Sequence, residues 1–319
     1  MKRSFVSGGT QTPGIPDSAF SMGPGMRMRY DQPAATLSDY ITGYTCYASD
    51  SPAELVDWFL PAPVMINISF DAGPISAAMG SRKIGAVPQV ALYGPTTWAM
   101  RLTTHGGVMI GTGVSALGWS RLFRRSASDI HNRIVPLSEF GGADMAERML
   151  AALTGLGSDR DIKGALDSVL ADLLGPVHPD EPLIRQLALI TVTKDILDVG
   201  DVARQLGLAP HQLRALSRQF FGMTPKLLLR RARFLRSLLR LFAAGDAANY
   251  DLIDKSYFDA SHFLRDAETF LGTTPRRFMA RPTTFLAASI RARAAVLGVG
   301  TQALHDPARL AFRSPVDAP

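Results

Sequence analysis

The spacing of hydrophobic residues divides the chain near residue 140. Before that point, short apolar runs alternate with Gly and Pro, and four runs have the length of strands, namely 64–70, 89–93, 97–102 and 107–114. Short strands at close intervals predict a barrel or a sandwich. Residues 50–59 are expected to form a short helical turn before them. Residues 1–36, rich in Gly, Pro, Met and Ser without periodicity, are expected to form a loose arm.

From Gly141 the spacing becomes helical, and a first helix is predicted over 143–154. A second, over 161–174, places Ile162, Leu166, Val169 and Leu173 on one face. That face either packs on its own domain or forms a dimer contact, and the pattern fits both. Three prolines within 175–182 interrupt regular structure and predict a linker between a domain of 37–174 and a second one.

A helix-turn-helix pattern follows the linker. A helix is predicted over 183–197, and a shorter one from Val199, capped by Asp198, ends at Gly207. The third helix starts near Ala209, and its apolar positions at i, i+3 and i+7 predict a buried stripe of Leu213, Leu216 and Phe220. The outward residues are then His211, Gln212, Arg214 and Arg218.

The pattern is repeated 50 residues later. Gln219–Pro225 and Thr269–Pro275 share the signature Phe-x-Gly-x-Thr-Pro. In the second copy, 252–257 is predicted as the entering helix and Asp259 as the cap of the next one. Phe263, Ala267 and Phe270 form the apolar face of that helix. Ser261, His262 and Arg265 then lie on its other faces. Two such units predict recognition of double-stranded DNA through base-contacting residues on both third helices.

Each Thr-Pro pair predicts the start of a further helix, since Thr accepts from a free N–H group and Pro has none to leave unpaired. The helix from Pro225 to about Ala243 spans roughly 27 Å at about 1.5 Å per residue. That length suits two units entering successive major grooves. The pattern predicts phosphate contacts from cations and hydroxyls beside the recognition helices, namely Arg218, Thr224, Lys226, Arg230, Arg231, Thr274 and Arg276.

Residues 183–282 resemble the DNA-binding domain of AraC/XylS-type bacterial transcription regulators. The matching stretches are Val202–Leu213, Phe221–Lys226, Arg230–Phe234, Tyr257–Phe263 and Phe270–Arg276. The resemblance implies promoter binding, with His211 and Arg265 at positions where the family places base-contacting residues. Ala215 stands where relatives can have arginine, and Ser256 replaces the usual turn glycine.

The front half is similar to the cupin-like sensor domains that precede such DNA-binding domains, through Gly118–Phe123 and His131–Leu137. The expected fold class is therefore α+β: a β-rich, cupin-like barrel, then an all-α domain with two helix-turn-helix units joined by a long helix. The resemblance implies a small-molecule effector, a homodimer and RNA polymerase as further partners. Within the barrel, Trp98, Met100 and Arg101 are the effector-binding candidates. Residues 283–319 form an extension with a predicted helix over 285–297.

The charge distribution agrees with a polyanionic partner for the second half. Basic against acidic residues number 14 to 16 over 1–180, 16 to 10 over 181–282 and 4 to 2 beyond. Three features favour the cytoplasm, with no membrane partner. The chain has a single cysteine, Cys46, it has no apolar stretch behind its basic start, and it has no long apolar run.

Enzymatic chemistry has little support in the sequence. The six histidines form no His-x-His or His-x-x-x-His pair, so neither metal nor cofactor is predicted. The glycines of 111–115 lack the spacing of a dinucleotide loop or a nucleophile elbow. Two alternatives to a DNA-binding regulator stay open: a helical module for protein–protein contact, and a cupin-like enzyme with an appended helical domain.

Overall fold

The apolar runs of the front half pair into two antiparallel sheets, six and four strands wide. We describe the protein from a computed structural model, which covers residues 6–192, 198–246 and 249–304. The strands are β1 (Met26–Asp31), β2 (Ile41–Ser49), β3 (Leu55–Phe59), β4 (Val64–Phe70), β5 (Ser76–Met79), β6 (Arg82–Ile84), β7 (Val90–Tyr93), β8 (Met100–Thr104), β9 (Gly107–Val114) and β10 (Ile134–Pro136).

The larger sheet has the order β1-β2-β9-β4-β7-β10 and the smaller one the order β3-β8-β5-β6. At the centre of the larger sheet, Val64 pairs with Val114 and Phe70 with Val108. Side chains of β4 alternate between buried and half-buried, as expected for a strand with one face on the core. The predicted strands 64–70 and 107–114 are confirmed with their bounds.

Three expectations for the front half were wrong. Residues 50–59 contain the strand β3 instead of a helical turn, because β3 pairs along its length with β8. The strand expected over 97–102 is shifted to 100–104, which leaves Trp98 before it. The supposed loose arm contains β1, paired with β2, and its Ser7 and Gly8 amides donate to the buried Asp159 carboxylate at 3.0 and 2.8 Å.

The remaining chain is helical. The helices are α1 (Ala116–Leu122), α2 (Ser138–Leu153), α3 (Ile162–Leu173), α4 (Glu181–Val192), α5 (Val199–Gln205), α6 (Pro210–Phe221), α7 (Pro225–Ala244), α8 (Ala260–Leu271), α9 (Pro275–Met279) and α10 (Thr284–Leu297). The chain thus has a β-rich front half, followed by a helical part in which two units that carry the repeated signature are joined by the long helix α7.

Two helical predictions need correction. A helix entering the second unit was expected over 252–257, but the structure has only a short 3-10 helix, Tyr250–Leu252, before Asp254 turns the chain. The helix expected from 183 already begins at Glu181, within the predicted linker. Its expected end, 193–197, lies outside the described residues.

Apolar contacts join the helical units to the front half. The core of the first unit, with Leu213 and Phe220, is continuous with the main core of the larger sheet, represented by Ile66 and Ile110. In the second unit, the Ala99 N–H donates to the Phe270 carbonyl at 2.7 Å. Helix α10 returns to the barrel and packs on β1 and β3. The two halves therefore share their cores.

Candidate DNA interface

The first unit presents a polar face on its third helix. Asp198 caps α5 by accepting from the Asp201 N–H at 2.8 Å, as predicted. In α6, the stripe of Leu213, Leu216 and Phe220 is buried. The predicted outward residues are all exposed, namely His211, Gln212, Arg214 and Arg218. The Gln212 side-chain oxygen accepts from the Ala209 N–H at 2.9 Å, which leaves its NH₂ group as the donor for a base edge.

The second unit repeats this arrangement with one difference. Asp259 caps α8 by accepting from the His262 N–H at 2.7 Å, and Phe263, Ala267 and Phe270 are buried. Ser261 and Arg265 are exposed. His262 is half-buried, with its ring edge-on to Tyr257 at 5.1 Å between centroids. Ser261 and Arg265 are therefore the free side chains of this face, while His262 also supports the turn.

The repeated signature has the same backbone in both copies. Helices α6 and α8 end at Gly222 and Gly272, with φ of 75° and 65°, a left-handed conformation that favours glycine. Thr274 then accepts from the Arg277 N–H at 3.3 Å, the predicted cap. Thr224 occupies the same place in the first copy without a side-chain cap bond, so that part of the prediction was wrong.

The connector α7 does not present all of its arginines to solvent, contrary to expectation. Arg231 is 4% exposed and donates to the carbonyls of Ala62 at 3.2 Å and Thr96 at 2.8 Å. Burial lowers its pKa to about 10. The front half covers this side of α7, so Arg231 cannot contact a phosphate in this arrangement. Arg236 is likewise buried, donating to the Thr191 carbonyl at 2.9 Å.

One buried carboxylate joins α7 to α8. Asp266 of α8 is 1% exposed. It accepts from Arg230 at 2.5 Å, from Arg233 at 3.3 Å and from the Tyr257 hydroxyl at 2.7 Å. Arg230 also donates to Thr269 at 2.9 Å. These bonds fix the angle between α7 and α8, and they occupy part of the Arg230 guanidinium.

A basic cleft lies between the two units. Its lining comes from the start of α5, from α7 and from α8, and includes Asp198, Lys226, Arg230, Arg233, His262, Arg265 and Asp266. Lys226 and Arg265 are exposed there. Outside the cleft, Arg276 and Arg277 are exposed at the start of α9. Four cationic side chains and two carboxylates line the cleft, so its charge is net positive.

Of the three effector candidates, Met100 alone lines the apolar cavity between the front half and α10. Arg101 is exposed on β8. Trp98, half-buried before the strand, lies against Gly80, where an added Cβ would be 3.1 Å from its ring. The alternation that was expected to orient Trp98 toward the barrel does not apply, since Trp98 precedes the strand.

Sequence reasoning missed two residues of the second unit. Phe258, in the turn before α8, is 93% exposed beside the candidate base-contacting face. Asp266 was passed over although the sequence contained a signal: a charged residue stands within the apolar stripe of Phe263, Ala267 and Phe270, facing an arginine-rich helix. Buried carboxylates in such positions are paired with cations.

His131 lies where the first unit meets the front half. Its Nε2 is 3.3 Å from the Thr97 hydroxyl, and burial, together with Arg231, Arg82 and Arg218, lowers its pKa to about 4. The unfolded chain binds a proton at the ordinary histidine pKa of about 6.5. Stability contributed by neutral His131 is therefore present above pH 6.5 and decreases as the pH falls toward 4.

We expect the free energy of unfolding to vary less with pH in His131→Gln than in the wild type. The measurement is urea unfolding between about pH 4 and 7. Burial raises the pKa of Asp57 to about 6, so Asp57 has the opposite effect on stability over part of this pH range. Because Asp57 is present in both proteins, the difference in unfolding free energy between wild type and variant reports on His131 alone. Identical slopes in the two proteins would contradict the assignment.

Within the described ranges, no cluster of three His, Cys, Asp or Glu side chains could hold a metal ion. In the same part of the chain, no helix combines the length and apolar character needed to cross a bilayer.

No family model matches the chain, and no curated protein matches it. Solved structures similar to it include ToxT of Vibrio cholerae strain SCE256 with a bound unsaturated fatty acid, at 10% identity over 88% of this chain and 99% of that one, with a TM-score of 0.39. ToxT of Vibrio cholerae O395 has 10% identity over 81% and 98%, with a TM-score of 0.40. The AraC-like transcriptional activator CuxR has 13% identity over 70% and 89%, with a TM-score of 0.21.

Proposed function

We propose that the protein is a sequence-specific DNA-binding transcription regulator of the AraC type. The observation that supports this most directly is that α6 and α8 share one arrangement of buried and exposed side chains. In α6 and in α8 an apolar stripe is buried, while polar and cationic side chains of the same helix are exposed. Helices of this kind place their exposed residues against base edges in the major groove.

In this proposal, base edges are contacted by His211, Gln212 and Arg214 from α6, and by Ser261, Arg265 and the half-buried His262 from α8. Phosphates are contacted by Arg218, Lys226, Arg276 and the free edge of Arg230. Thr224 and Thr274 place helix N-termini toward the duplex, and helix N-termini bind phosphate through free N–H groups. Arg231 is left out because the front half covers it.

The front half, with its boundary to the helical units in the segment 175–180, is proposed to control DNA binding through a small-molecule effector or through self-association. Its shared core with the first unit supports this, because a change in one is transmitted to the other by direct packing. RNA polymerase at the promoter and a cytoplasmic location complete the proposal.

The proposal is tested by selecting bound fragments from genomic DNA and then measuring affinity for the recovered site and for a scrambled site. Contacts with about six phosphates lower the affinity for both roughly 10³-fold between 50 and 200 mM salt. Arg265→Ala should weaken binding to the recovered site by about 1–3 kcal/mol and binding to the scrambled site much less. Arg101→Ala, an exposed arginine of the front half, is the matched control.

If Arg265→Ala weakens binding to the recovered site and to the scrambled site equally, Arg265 contacts the phosphate backbone of DNA and no base. An affinity that does not respond to salt, or no recovered site, would overturn the proposal. The helical module for protein–protein contact would then be the better interpretation, with the exposed Phe258 as its first candidate contact.

A further inference from the structure

A cavity lies between the barrel and the C-terminal helix α10. Its volume is about 110 Å³, well above what one water molecule requires. The walls are largely apolar, with the barrel supplying Phe59, Leu60, Met65 and Leu102 and α10 supplying Leu286 and Ile290. The C-terminal helix α10 thus forms one side of the cavity, and the two sheets form the other.

One cation faces this cavity without a counter-ion. Arg293 of α10 is 1% exposed and lines the cavity. Its Nη1 donates to the Tyr30 hydroxyl at 2.7 Å and to the Thr42 carbonyl at 3.1 Å. Its Nε and Nη2 have no hydrogen-bond partner. Among the described residues, no carboxylate pairs with it.

A buried guanidinium in this state is costly. Removing an ion from water costs several kcal/mol even after relaxation, and that cost is offset only by pairing and full hydrogen bonding. Arg231 is also buried and donates to two backbone carbonyls, with its Nε unpartnered, but it does not line this cavity. At Arg293 two donors remain, and they match the two oxygens of a carboxylate, which arginine binds in a bidentate manner.

We propose that this cavity binds an organic monocarboxylate with an apolar body. The carboxylate pairs with Nε and Nη2 of Arg293, and the apolar body occupies the space among Phe59, Met65, Met100 and Leu102. Because Arg293 belongs to α10 and the other walls belong to the barrel, such a ligand fastens the C-terminal helix to the front half. Helix α10 follows the second unit directly, and the Trp58 N–H donates to the Pro282 carbonyl just before it at 3.0 Å.

The regulatory consequence rests on the proposed function: ligand occupancy changes how firmly the second unit is held against the barrel. The binding site itself does not depend on that proposal. Its test therefore measures ligand binding to the full chain without DNA, so that a failure here is distinct from a failure to bind DNA.

The test uses straight-chain and aromatic carboxylates of increasing size, each compared with the alcohol of the same body, by thermal shift and calorimetry. We expect carboxylates to raise Tm saturably and to bind about tenfold or more tightly than the matched alcohols, as a charge-assisted pair requires. Comparing the two series shows whether a flexible chain or a flat ring fits the cavity. Inorganic phosphate at the same concentration tests whether the apolar body is needed.

Two variants separate the anchor from the fold. Arg293→Met should abolish the preference for carboxylate over alcohol and, without ligand, should keep or raise Tm, because a methionine of similar length removes an unpaired charge. Arg291→Met changes an exposed arginine two residues away on the same helix and should leave the preference intact. Met100→Phe narrows the cavity without touching the anchor, and should weaken the larger carboxylates most.

The proposal is overturned if wild-type protein binds carboxylates no better than alcohols or phosphate. It is also overturned if Arg293→Met folds and retains the preference. If Arg293→Met does not fold, Met100→Phe decides. If this variant still binds the same largest carboxylate as the wild type, the ligand lies outside this cavity and the proposal is overturned.

Discussion

Replacing Asp266 by alanine is expected to destabilise the protein by about 3–5 kcal/mol, since removing one partner of a buried ion pair leaves uncompensated charge. The carboxylate is 1% exposed and accepts from Arg230, Arg233 and Tyr257. All three donors lose their acceptor together. Because they belong to α7 and to the turn before α8, helix α8 loses its fixed angle to the connector.

The measurement is urea unfolding of full-length protein at pH 7, with Glu268→Ala as the matched control. Glu268 lies two residues further along α8 and is exposed, so its loss should change stability by less than about 0.5 kcal/mol. Asp266→Asn keeps an acceptor for Tyr257 but removes the charge, and should fall between the two. If Asp266→Ala is no worse than the control, the network does not hold α8 in solution.

The same variant distinguishes stability from DNA recognition. In Asp266→Asn protein at a temperature where it is still folded, a poorly positioned α8 should lose discrimination between the recovered site and a scrambled one, while Arg218 and Lys226 still contact phosphate. Discrimination that remains intact would mean that α8 is oriented by its apolar contacts alone.

The sequence was sufficient to predict those elements that depend only on residues close to them along the chain. The apolar stripe of α6, the caps Asp198 and Asp259, and the glycine that ends each recognition helix follow from helical spacing and from the needs of free N–H and carbonyl groups. The strands β4 and β9 were predicted with their bounds because each is an apolar run between turn residues.

Elements determined by distant partners were missed. The strand β3 has its hydrogen-bonding partners in β8, more than forty residues later, and the sequence of 50–59 alone fits a helical turn equally well. The strand β1 similarly depends on β2. The direction of Arg231 could not be predicted, because helical spacing identifies a polar face but not the carbonyls of Ala62 and Thr96 that lie against it. The same limit applies to Arg293, whose surroundings come from both ends of the chain.

These tertiary contacts divide α7 into two functional sides. Toward the front half, Arg231 donates to the Thr96 carbonyl, while Arg236 attaches the connector to α4 through the Thr191 carbonyl. Toward the basic cleft, Lys226 and the free edge of Arg230 stay accessible. The arginines of this one helix therefore differ in exposure, and in the proposed function only those on the cleft side contact DNA.

The two signature glycines give the sharpest test of how the first unit meets the front half. Gly222 and Gly272 have nearly the same backbone, with φ of 75° and 65°. A Cβ at Gly222 would lie 2.3 Å from Cγ of Pro95 and 3.0 Å from the Ala127 carbonyl oxygen, whereas at Gly272 no atom lies within 4 Å. Alanine at Gly272 should cost about 1–2 kcal/mol, the cost of a left-handed conformation alone.

Alanine at Gly222 should cost a further 1–3 kcal/mol or so, because the end of α6 must move away from the front half to relieve the overlap. Unfolding free energies compare the two variants, and limited proteolysis of 175–180 reports the separation of the halves. Faster cleavage in Gly222→Ala alone is the expected result. Equal destabilisation with unchanged cleavage would mean that the end of α6 does not contact Pro95 in solution.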